Sequence, residues 1–60
     1  MYLFSAEYVD EYTGDGRAVT IDIPPHTVAD DKEAYMQAME EALFKMRSNE
    51  LLEALKLIAC

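Results

Sequence analysis

Only one side chain would titrate near neutrality without perturbation, His26, which follows Pro24 and Pro25 and lies close in sequence to Asp30 and Asp31. That neighbourhood could serve a general base, or a cation site completed by carboxylates. A general base needs a nucleophile and a concave pocket around it, and a short chain supplies little concavity. A zinc site is harder to assemble, because one His and one Cys (Cys60) fall short of three or four ligands unless carboxylates join them. Asp10, Glu11 and Asp15 could gather around a cation, but calcium-loop spacing is absent. Gly14 and Gly16 do not fit a phosphate loop, since a strand-like run follows them where a helix is required. The sequence therefore predicts no catalytic residue, no cofactor and no metal site. A small enzyme or metal-binding protein centred on His26 is kept as an alternative, requiring carboxylates to converge with it in one pocket.

The composition bounds the remaining classes. Sixty residues make one domain, 52% hydrophobic, with a formal net charge of -7. That hydrophobic content argues against general disorder. Five Lys and Arg give no basic footprint for phosphate contacts, so direct nucleic-acid binding is not expected. An anionic membrane surface is disfavoured for the same reason. No signal-peptide pattern and no membrane-length apolar run is visible, and a cytoplasmic, reducing compartment is the expectation. A chain this short buries only about 60% of its unfolded surface and often needs a staple or a partner. Cys60 has no second cysteine to pair with and is expected to be an inert terminal thiol. Oligomerisation is the natural remaining source of stability.

The first half of the chain reads as a hairpin over residues 2–23. In the first run Tyr2, Phe4, Ala6, Tyr8 and Tyr12 share the more apolar face, and Leu3, Ser5, Glu7, Val9 and Glu11 take the other. Leu3 and Val9 are anomalous on that second face and are candidates for contact with another subunit. Thr13, Gly14, Asp15 and Gly16 make the turn. Residues 18–23 return, with Val19, Ile21 and Ile23 toward the core and Arg17 placed to pair with Glu11 or a neighbour. Pro24 and Pro25 end the strand. Residues 24–29 connect onward, with Val28 a core plug.

Residues 30–59 read as helix, being rich in Met, Ala, Leu, Glu, Gln and Lys with no Gly or Pro. Asp30 and Glu33 form a capping box at its start. Tyr35, Met39, Ala42 and Met46 give one apolar stripe, flanked by Met36, Ala38 and Leu43. Leu51, Leu52, Leu55 and Ile58 fall roughly opposite it, in line with Phe44. Either the chain bends at Ser48–Asn49, giving β-β-α-α, or one helix runs about 40 Å at 1.5 Å per residue. The second option is favoured, because Phe44 would otherwise be exposed. The expected fold is thus α+β, an N-terminal antiparallel hairpin packed on a long C-terminal helix.

That reading points to a small acidic, homo-oligomeric interaction or regulatory protein without catalytic activity. Its candidate interface is Phe44, Leu51, Leu55, Ile58, Leu3 and Val9. The expected partner is a second copy, forming a dimer or tetramer, with a basic protein surface also permitted by the charge. A nucleic-acid mimic inhibiting a DNA-binding protein is the alternative from a different class, and it requires carboxylates in rows at phosphate-like spacing.

Overall fold

In a computed structural model of the chain, which describes residues 1–59, the elements run β1 (Tyr2–Asp10), β2 (Gly16–Ile23), a 3-10 turn (Pro25–Thr27), α1 (Asp31–Lys45) and β3 (Glu50–Ala59). Cys60 and its expected inertness lie outside the described residues. The strands form one antiparallel sheet in the order β2-β1-β3, and α1 covers one of its faces.

The hairpin forms much as its alternation dictates. Tyr2 pairs with Ile23, Phe4 with Ile21 and Ala6 with Val19, so period-two patterning on both strands delivers one apolar face. Phe4, Ala6, Tyr8, Ile21 and Ile23 are buried there. The turn differs in detail from the expected Asp-Gly geometry. Strand β1 ends at Asp10, and Tyr12 is an exposed loop residue. Asp10 folds the loop back by accepting from the backbone N–H groups of Tyr12 and Thr13, while Gly14 N–H donates to the Asp10 carbonyl. Among the described residues Gly14 alone takes the left-handed conformation, at φ 79°, which its missing Cβ permits.

Helix α1 starts where predicted. Asp30 caps it, its carboxylate accepting from the Glu33 N–H at 2.9 Å, with Asp31 and Glu33 in the first turn. Its buried stripe is Ala34, Ala38 and Ala42, rather than one centred on Tyr35 and Met39. Small residues at i, i+4 and i+8 let the helix axis settle close to the sheet, with larger side chains flanking the contact.

The expected long C-terminal helix is not formed. The helix ends at Lys45, and residues 50–59, expected to be helical, are a strand hydrogen-bonded to the second edge of β1. Met46 is already extended, at φ -66° and ψ 134°, and the Glu50 N–H donates to the Arg47 carbonyl to close the turn. Tertiary context overrides helix propensity here. Phe4 and Tyr8 sit on a strand whose two-stranded hairpin would leave one edge and half a face uncovered, and β3 supplies the missing flank. The misleading spacing has a structural origin. Two bulges in β3, one between the partners of Glu7 and Tyr8 and one between those of Leu3 and Phe4, insert Glu53 and Ile58. Leu52 and Leu55 consequently lie three positions apart while both pack against the core below the helix. A bulged strand thus imitates helical spacing.

Candidate interaction surface

The polar residues form local anchors. Arg17 lies beside Tyr8, its guanidinium 4.6 Å from the ring centroid, and clasps Glu50 with two nitrogens at 2.9 and 2.7 Å. The Glu50 side chain is only 6% exposed and also accepts from the Arg47 N–H at 3.1 Å. The Arg17 hydrogen bonds and the Arg47 N–H hold the Glu50 carboxyl down at about 2, against the opposing effect of burial. Tyr8 donates its hydroxyl to the Ala42 carbonyl, and burial pushes its pKa up. Arg17 also reaches the Lys45 carbonyl at 3.3 Å. These contacts fasten the end of α1 and the start of β3 to the hairpin. The expected Arg17–Glu11 pair is replaced by a partner 33 positions along the chain. At the same end of the sheet, Asn49 donates its side-chain amide to Asp10, and the Glu11 N–H donates to the Asn49 carbonyl.

His26 is exposed in the 3-10 turn. Among the described residues, no three His, Cys, Asp or Glu side chains group as metal ligands would. Several carboxylates have internal work: Asp10 in the turn, Asp30 at the cap, Glu50 with Arg17, and Glu7 with Lys56 at 3.1 Å.

The uncovered surface is where the molecule is unusual. Met36, Leu43, Phe44, Leu51, Leu57 and Ile58 are all at least 43% exposed, and Phe44 reaches 90%. The six sequence candidates are distributed over several surfaces. Val9 and Leu51 are cross-strand partners on the sheet face away from α1, and Leu3 lies at the other end of that face, paired with Ala59. Leu55 points to the opposite face and packs against the core. Ile58 is a bulge residue, half exposed. Phe44 does not join them, because the helix that would have aligned it with Leu51, Leu55 and Ile58 ends at Lys45.

Helix α1 has two unlike flanks. With the alanines against the sheet and about 100° per residue, Glu33, Gln37, Glu40, Glu41 and Phe44 fall on one side. Gln37, Glu40, Glu41 and Phe44 border an open depression with Asp22, Ile23 and Pro24, so this is the β2 side. Lys32, Tyr35, Met36, Met39 and Leu43 fall on the other, the β3 side. The surplus acidity thus gathers toward β2. Toward β3 the surface is apolar and near neutral, since residues 51–59 hold only Glu53 and Lys56 as charged groups. Sequence reasoning missed Leu43, Met36 and Leu57 as exposed groups, having assigned the first two to the flanks of a core stripe. The alanine spacing at 34, 38 and 42 was the signal that could have corrected it.

Comparison with protein-family models, with curated proteins and with solved structures finds no match to this chain. No helix among the described residues is long and apolar enough to cross a membrane.

Proposed function

We propose that this chain is a small interaction or regulatory module that assembles with a second copy of itself and acts through protein contact rather than catalysis. The observation that carries the reading is the apolar, near-neutral β3 side of an otherwise acidic molecule, with Leu43, Met36, Leu57 and Ile58 exposed there. Isolated exposed apolar residues are ordinary, but several gathered beside the outer edge of a sheet mark a contact surface. A short chain with a thin two-layer core gains most from such burial. The acidic β2 side stays free in the assembly, available to a basic protein surface. A cytoplasmic setting belongs to the same proposal, supported by a single cysteine and no disulfide pair in the sequence.

Light scattering behind a sizing column, from micromolar to millimolar chain with reductant present, tests this. A dimer or tetramer growing in with concentration is expected. A monomer of 6.8 kDa throughout would remove the reading.

A further inference from the structure

Strand β1 is paired on both sides, so the sheet has two outer edges, those of β2 and β3. An exposed edge offers a row of backbone N–H and C=O groups to another strand. We propose that the second copy docks edge to edge on β3, giving a continuous six-stranded antiparallel sheet in the order β2-β1-β3-β3-β1-β2 around a two-fold axis. This inference rests on the self-assembly proposed above and names its surface.

Charge selects the edge. Pairing through β2 would bring together two copies of Asp22, Glu33, Glu40 and Glu41, a like-charge contact between chains that each carry -7. Pairing through β3 keeps those groups apart at the far sides of the sheet. Residues 54–57, between the two bulges, keep a regular register with β1 and present the straight segment that pairing needs. An antiparallel strand is its own complement under a two-fold axis, so a second copy needs no further matching sequence.

The helices fit the same geometry. The two β1 strands would lie three strand spacings apart, about 14 Å. That leaves a trough between the α1 helices, floored by Leu57 of each chain. Tyr35 and Met39 face it from both sides with Leu43 at its upper rim, and Met adapts readily to irregular gaps. A standard interface needs about 800 Å² from each partner, about a fifth of this chain's 4057 Å². A body 38 Å long and 18 Å by 13 Å in section offers contact of that order along its long side, provided the helix flank joins the strand edge.

Two measurements on the full chain in a Cys60→Ser background test the geometry, each with light scattering on the same sample. First, nitroxide labels at Lys56→Cys on β3 and, separately, at Thr20→Cys on β2 report distances between copies. Edge pairing predicts strong dipolar coupling between the β3 labels, and β2 backbones about 24 Å apart, five strand spacings. Close β2 labels with distant β3 labels, or about 10 Å at both sites as in face-to-face stacked sheets, would overturn the edge geometry while leaving self-assembly standing. A monomer at millimolar concentration would remove both. Second, Leu43→Glu should raise the dimer Kd at least tenfold with circular dichroism unchanged, whereas the neighbouring Phe44→Glu, on the β2 side, should leave it within about twofold. The opposite ranking would overturn the edge geometry.

Discussion

Glu50 is the residue on which the closure of this fold depends. It starts β3, receives the Arg17 fork and takes the Arg47 N–H, so one carboxylate ties the hairpin, the turn and the last strand. Its pKa of about 2 lies below the ordinary 4.5, which fixes the sign of the pH effect. The ionised form is the one the native state favours, so its contribution is fully present above about pH 4.5 and is lost as the pH falls through about 2. Urea midpoints recorded across that window should fall with acid, and Glu50→Gln should flatten the fall. An unchanged acid profile in the variant would mean the carboxylate is not linked to folding. Tyr8→Phe should cost about 1 kcal/mol, the usual size for one hydrogen bond, with the ring still packed in the core; thermal melts would show it. At this scale the sequence was partly legible. Tyr8 was legible as a residue of the apolar strand face, and local spacing offered Glu11 to Arg17. The true partner is Glu50, and a contact across 33 positions leaves no trace in local pattern.

Among the elements, β1 and β2 could be read face by face, because strict alternation survives wherever a strand pairs without interruption. The start of α1 was equally legible, since a cap is chemistry within one turn. Strand β3 was not. Its Leu, Ala, Glu and Lys are good helix formers, and the bulges at Glu53 and Ile58 remove the alternation that would have betrayed a strand. The phase break at Ser48–Asn49 was visible in the sequence, but an unbroken helix was favoured over a bend there; the chain does turn at that point, into a strand and not a second helix. The packing of α1 offers a direct test. Ala38 is fully buried between helix and sheet, so Ala38→Leu should cost about 1–3 kcal/mol by forcing the layers apart. The same change at Met36, 56% exposed, should be nearly neutral in the monomer. Denaturant midpoints compare the two, and equal effects would mean that the alanine stripe does not set the layer distance.

For the molecule as a whole, charge and hydrophobicity are segregated sideways, acidic toward β2, with Phe44 as the exposed apolar exception there, and apolar toward β3. The candidate surface was only partly legible for that reason. Leu3, Val9, Leu51 and Ile58, proposed from the sequence as interface residues, lie outside the buried core but on different parts of the sheet, because their placement depends on where β3 docks. Segregation has a consequence for assembly. Two chains of charge -7 repel, so added salt should tighten self-association as screening shortens toward about 3 Å at 1 M. Binding to a basic partner through the β2 side should weaken instead. Sedimentation at low and high salt separates the two responses, and a dimer that dissociates in salt would contradict an apolar contact.

The most direct test of the account is a nuclear Overhauser map of the backbone, because everything proposed for the β3 side requires residues 50–59 to be a strand against β1. Cross-strand contacts between Val9 and Leu51, Ala6 and Leu55, and Phe4 and Leu57 are the predicted result. Unbroken sequential amide–amide contacts through residues 50–59 would show a helix there, and would contradict both the sheet and the edge built on it.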